Sequence, residues 1–166
     1  MTGTSFSTTD STLHTSLELS PIELPLLALD IGGKRIGVAV CDKLAISVRG
    51  IACLFRKDQA WSRQALKLAD DYGCRGIVVG LPLNMDGSEG AQAGDCRAAV
   101  AELAQLSDLP LVMQDERLSS WTAKERLYAQ GLNEKKVRER IDQTAAAVIL
   151  EDFLAAHPEL KESGHV

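Results

Sequence analysis

The sequence has little that would direct it to a membrane, a secretory route or a zinc site. No apolar run approaches the roughly 18 residues that a membrane-spanning helix needs, so a soluble protein is expected. No Lys or Arg occurs before Lys34, and the opening stretch MTGTSFSTTDSTLHTSLELS is rich in Ser and Thr without a clear period. A secretory leader needs a basic start and a transit peptide needs Arg, so neither is expected. A flexible tail is the plain reading of residues 1–24, and a second short tail is expected over residues 157–166. The four cysteines, Cys41, Cys53, Cys74 and Cys96, form no C-x-x-C pair and have no His at ligand spacing. That argues against zinc and points to free thiols in a reducing, cytoplasmic setting. No internal repeat is visible.

What is present suits one folded domain over residues 25–156. The chain has 166 residues and is 45% apolar, enough for a real core. The net charge of −5 argues against general nucleic-acid binding. Its distribution is uneven, however. The first stretch contributes only acids, while basic residues gather at Lys34-Arg35, at Arg117 and in EKKVRER, which holds Lys135, Lys136, Arg138 and Arg140. The average conceals a local basic face.

Residues 26–30 (LLALD) are apolar until the last, as in a central strand covered on both faces. Gly32-Gly33 allows a tight turn. Residues 36–41 and 46–54 read as a second and third strand. A helical pattern covers residues 59–71 and stops at Gly73. GIVVGL, residues 76–81, is a buried strand. Further elements are a helix over 88–106, a strand over 109–113, a helix over 121–130 closed by Gly131, and a last helix over 133–156. The order β-β-β-α-β-α-β-α-α predicts an α/β fold, a mixed five-stranded sheet flanked by helices.

An aspartate at the end of an apolar strand is costly unless it has a task. Asp30 ends the first strand, and Asp115 and Glu116 end the fifth. In such sheets ligands collect where strand ends open onto a crevice. Asp142 shares a helical face with Ala146, Ile149 and Phe153, so it should point toward the sheet. Acidic side chains from separate elements form a site when a cation joins them, and oxygen-only ligands suit Mg²⁺ or Mn²⁺. Two ions about 4 Å apart would clamp the attacking and leaving oxygens of a phosphodiester. Each acid also has a structural reading. Asp30 could cap the glycine turn, Asp142 could cap a helix restarting after Ile141, and Asp115-Glu116-Arg117 could be a solvated loop.

LDIGGKRIGVAVCD, IVVGLPLNMDGSEGAQA, DERLSS and IDQTAAAVIL, in that order, resemble the RuvX/YqgF family. These are RNase H-like proteins named for resolving Holliday junctions or for processing the 5′ end of precursor 16S ribosomal RNA. The resemblance spans residues 26–154. It implies an RNase H-like fold and a metal-dependent nuclease with Asp30, Glu116 and Asp142 as catalytic carboxylates, Asp115 being a fourth candidate metal ligand. Gly33 departs from the family pattern, where many members carry Thr or another side chain. That change would loosen the turn or remove a hydroxyl contact.

The implied partner is nucleic acid, either precursor rRNA or branched DNA, bound by a monomer or a homodimer. A resolvase should be a dimer whose two-fold axis matches the junction. Candidate contacts are Lys34, Arg35, Arg117, Lys135, Lys136 and Arg138. Asn84, Ser88 and Gln92 join them, from a glycine-rich loop feeding a helix N-terminus where phosphate is attracted. That loop is equally an ordinary turn with Ser88 as N-cap, and EKKVRER is equally a solvated helix face. Trp121 could stack on an unpaired base, although such a residue is more often core. Two rival functions remain open. LDIGGKRIGVAV resembles the phosphate loop of actin-like sugar kinases, which need a second lobe. A non-catalytic nucleic-acid-binding cofactor is the other.

Overall fold

The computed structural model describes residues 22–117 and 119–163. Three strands form a meander: β1 (Leu26–Ile31), β2 (Arg35–Cys41) and β3 (Val48–Phe55). Then come α1 (Trp61–Asp71), β4 (Gly76–Leu81), α2 (Ala91–Leu106), β5 (Leu111–Asp115), α3 (Ser119–Ala129), α4 (Glu134–Ala156) and the short α5 (Glu159–Ser163). The sheet order is β3-β2-β1-β4-β5. β1, β2 and β3 pair antiparallel, and β4 lies parallel to both β1 and β5. This mixed sheet with helices on both faces is the RNase H-like architecture.

The two-residue period of a strand divides the core. Leu27, Leu29 and Ile31 face one side with Val38, Ile77 and Val79, and are covered by Trp61, Ala65 and Ala69 of α1 and Cys96, Ala99 and Leu103 of α2. Leu26 and Ala28 face the other side with Ala39 and Val78, under Ala146, Ile149, Leu150 and Phe153 of α4. Asp30 has the parity of Leu26 and Ala28, so β1 delivers its carboxylate to the α4 side.

Several boundaries differ from the sequence reading. β3 starts at Val48 rather than residue 46, because Asp42 Oδ1 accepts from the Ile46 and Ser47 N–H groups and holds them in a turn. α1 starts at Trp61, after Asp58 Oδ1 takes the Ala60 N–H. α2 begins at Ala91 with Gly90 as N-cap, so neither the expected start at residue 88 nor the capping role of Ser88 stands. Gly73 and Gly131 do end helices in the left-handed region, at φ 66° and 80°.

Residues 1–21 of the expected N-terminal tail lie outside the described residues; Ile22 and Leu24 pack on the α4-side core. Within the segment expected as a C-terminal tail, α5 sends buried Leu160 into that same core.

Candidate active site

The site is built around Asp30, the one residue of β1 that keeps appreciable exposure. Gly37 lies directly opposite it on β2. A Cβ at Gly37 would overlap the backbone carbonyl of Asp142, and one at Gly50 would sit 2.8 Å from Gln143 Cβ. Glycine at these two positions therefore lets the middle of α4 approach the sheet and bring Asp142 beside Asp30. Asp142 is an interior residue of the unbroken helix Glu134–Ala156, whose N-cap is Asn133, accepting from the Lys136 N–H at 3.0 Å. The alternative reading of Asp142 as a cap is thereby removed.

Glu116 follows β5 directly, and its N–H donates to the Leu81 carbonyl at 3.2 Å. Its side chain crosses Gly80, where a Cβ would stand 2.7 Å from Glu116 Cγ. Buried Ser119 in the first turn of α3 donates its hydroxyl to the Glu116 carboxylate. That bond fixes the glutamate's rotamer.

Electrostatics tie the three acids together. The Asp30 carboxyl is pushed up to about 7, first by burial and then by the charges of Glu116 and Asp142. Burial also raises Glu116, with the Ser119 hydrogen bond opposing it. Asp142 meets a cation instead, its Oδ2 standing 2.9 Å from Arg35 Nε. Cys53 Sγ approaches the same oxygen at 3.9 Å. Asp115 is turned elsewhere: it accepts from Arg117 Nε at 3.0 Å and Nη2 at 2.8 Å, and this pairing holds its carboxyl below the usual range.

Hard oxygen donors from neighbouring elements in a partly buried place suit a divalent cation, which would relieve their mutual repulsion. Among the described residues no three such side chains are drawn together at ion-holding distances. The donor chemistry fits. Arg35 holds Asp142 and Ser119 holds Glu116, and a bound cation would compete with both for these carboxylates.

Basic residues reach the rim unevenly. Arg35, Lys135 and Arg138 line a cavity of about 440 Å³ with Asp142, Glu139, Cys53 and Phe55. Lys136 sits apart, 3.7 Å from Glu139, and Lys34 is exposed on the β1–β2 turn. Arg117 lines a second cavity, about 340 Å³, with Met85, Asp115, Glu116, Ser119, Thr122 and Asp152, and donates to the Met85 carbonyl at 3.2 Å. That bond ties the glycine-rich loop to the end of β5. In the loop, Asn84 Nδ2 donates to Ser88 Oγ, and the Ser88 N–H donates to Asp86. These polar groups are spent on holding the loop closed, while Gln92 is exposed on α2. Trp121 is 60% exposed, so the core reading of it fails.

Sequence reasoning missed Gly37, Gly80, Ser119 and Phe55. Strand parity could have found the two glycines, since each lies beside Asp30 or Glu116 on the α4 face. Ser119, three residues after Glu116 at a helix start, carries a capping-type spacing. Phe55 left no signal beyond its place at a strand end.

The sheet order β3-β2-β1-β4-β5, with helices on both faces, defines an RNase H-like protein. A family model described as "RuvX: Holliday junction resolvase" matches residues 25–156. The chain is 38% identical over 139 residues to the "Putative pre-16S rRNA nuclease" of Synechococcus elongatus, covering 83% of this chain and 93% of that one. Proteins of the same name from Anaeromyxobacter sp. (strain K) and Geobacillus kaustophilus are 41% and 40% identical, over 77% of this chain and 94% and 95% of theirs. Among solved structures, RuvC of T. thermophilus in complex with a Holliday junction substrate matches 80% of this chain and 96% of its own, with 15% identity and a TM-score of 0.49. The chain belongs to the RuvX family.

Proposed function

We propose that this protein is a divalent-metal-dependent endonuclease that cuts phosphodiester bonds in precursor 16S ribosomal RNA. The observation that carries the reading is the placement of three acids around β1: Asp30 lies opposite Gly37, against which the Asp142 backbone packs, and Glu116 crosses Gly80 on the neighbouring strand. The names of the relatives supply the RNA. Asp30, Glu116 and Asp142 would hold Mg²⁺ or Mn²⁺, probed as one ion or two; Asp115 would join only by leaving Arg117. When bound, such cations stabilise charge developing on the phosphoryl and leaving oxygens.

The chain's own residues prepare that chemistry. Asp30 carries a proton for part of the time near neutral pH, and a bound cation would compete with that proton, so metal affinity would rise with pH. Ser119 holds the Glu116 carboxylate by a hydrogen bond. Arg35 neutralises Asp142, and would be free to meet a phosphate if a cation took its place. Arg117, Lys135 and Arg138 neutralise the backbone on either side, a sequence-independent contribution. Lys34, Lys136 and Gln92 extend this contact outward, whereas Asn84 and Ser88 shape the loop that Arg117 holds.

Within the described residues there is one five-stranded sheet, so a cleft between two lobes, as an actin-like kinase needs, has no second wall. None of their helices is long and apolar enough to cross a membrane. The four cysteines are free thiols, which suits work in the cytoplasm, where precursor rRNA is found.

A second reading, cleavage of four-way DNA junctions, is favoured by the description of the family model. The two are separated by offering purified protein a precursor 16S rRNA 5′ fragment and a four-way junction in Mg²⁺ or Mn²⁺, beside a solution mass measurement. Cleavage of the RNA alone supports the proposal. Cleavage of the junction alone, by a dimer, replaces it. Tight binding to either without cleavage supports the non-catalytic cofactor instead.

A further inference from the structure

Phe55 ends β3 directly opposite Arg35 on β2, and two residues before it Cys53 lies opposite Gly37. Directly opposed residues of an antiparallel pair share a face. Phe55, Arg35 and Cys53 therefore stand on the same side of the sheet as Asp30 and Asp142. Phe55 is 60% exposed, an aromatic ring left to solvent beside a candidate catalytic carboxylate. It forms one wall of the cavity of about 440 Å³, and Lys135, Arg138 and Arg35 supply cations to the others. Glu139 also lines it, but is drawn toward Lys136 at 3.7 Å.

A ring with cations around it, next to a phosphodiester-cleaving centre, matches one nucleotide of a polynucleotide strand: base on the ring, phosphate on the cations. A base can lie on an aromatic ring only where its own face is uncovered. Inside a continuous duplex both faces are covered by neighbouring pairs, so platforms of this kind serve single strands, loops and ends.

We propose that Phe55 is a base-stacking platform in a nucleotide subsite beside the catalytic carboxylates, and that it makes this enzyme prefer a strand with an unpaired nucleotide next to the cleaved bond. This rests on the nuclease reading and narrows its substrate to unpaired RNA. The subsite reads no base identity, because every base offers a π face. It selects strandedness.

The test is binding of the full chain, in Ca²⁺ buffer, to a short single-stranded oligoribonucleotide carrying a fluorescent purine analogue, and to the same strand in a duplex. Phe55→Ala should weaken single-strand binding by about tenfold or more, within the range for removing one stacked base. It should also remove the fluorescence change at one analogue position, with duplex affinity unchanged. Phe55→Trp should keep both the affinity and the signal. The proposal is overturned if Phe55→Ala binds and signals like wild type, if it weakens single strand and duplex equally, or if Phe55→Trp is as weak as Phe55→Ala. Wild-type protein that binds neither RNA would overturn the nuclease reading itself, a different outcome from Phe55-insensitive binding.

Discussion

Arg35 Nε stands 2.9 Å from Oδ2 of Asp142, so the helix acid meets a guanidinium on one side while its charge is felt at Asp30 on β1. The arginine side chain is half exposed, which limits what the pair contributes to stability to less than about 1 kcal/mol. Arg35→Gln should lower the melting temperature slightly in chelator, and the difference should shrink in Mg²⁺, because a cation takes over the screening. Calorimetry in the two buffers checks this. A deficit of equal size with and without Mg²⁺ would mean that Arg35 does not screen the acids.

Two glycines a few residues apart should behave oppositely. At Gly37 a Cβ would collide with the Asp142 backbone, whereas at Gly33 it would meet nothing within 4 Å. Gly37→Ala should cost about 3 kcal/mol, at the upper end of the usual range for overpacking. Gly33→Thr should fold as wild type does. Denaturant melts of both variants give the comparison, and a stable Gly37→Ala would show that α4 can retreat from β2.

Stability without metal should depend on pH through Asp30. Its carboxyl ionises at about 7 in the folded chain, against an ordinary value of 3.8. Between these values the native state holds the extra proton, so stability falls as pH rises through the window, by up to about 4 kcal/mol. Asp30→Asn removes that slope. In chelator the variant and wild type should melt alike near the acid end, and the variant should melt higher above neutrality. Parallel melting curves across the window would mean that neither burial nor the neighbouring acids hold the proton on Asp30.

The basic residues at the start of α4 should contribute affinity without chemistry. Changing Lys135, Lys136 and Arg138 together to Ala should lower the slope of log affinity against log salt by up to about 3, one for each phosphate no longer neutralised. Turnover at saturating substrate should change little. Lys136, already near Glu139, should account for the smallest share. An unchanged slope would move the backbone's path to the loop held by Arg117.

Much of this fold could be read from apolar periods. β1, β4 and the face of α4 are short uninterrupted or regularly spaced apolar runs, and Asp30 and Asp142 stood out as charges inside them. The geometry between those residues was harder to see. Whether α4 could reach the sheet depended on Gly37 and Gly50, residues whose role shows only in their strand parity and not in a side chain. Asp115 and Glu116 are adjacent in sequence but diverge in space, because Arg117 captures the first and Ser119 the second. Strand and helix starts were misplaced where Asp42 and Asp58 capture backbone N–H groups, a local competition that apolar periodicity does not register.

The most direct measurement is phosphodiester cleavage by Asp142→Asn beside wild type, both checked for equal folding, in saturating Mg²⁺ or Mn²⁺ on a precursor 16S rRNA 5′ fragment. A carboxamide keeps the shape and removes the charge, so the variant should lose at least about a hundredfold in rate, and wild type should lose all cleavage in excess EDTA. An Asp142→Asn protein that cuts at the wild-type rate but melts earlier would show that Asp142 is structural, and the three-carboxylate centre would be wrong.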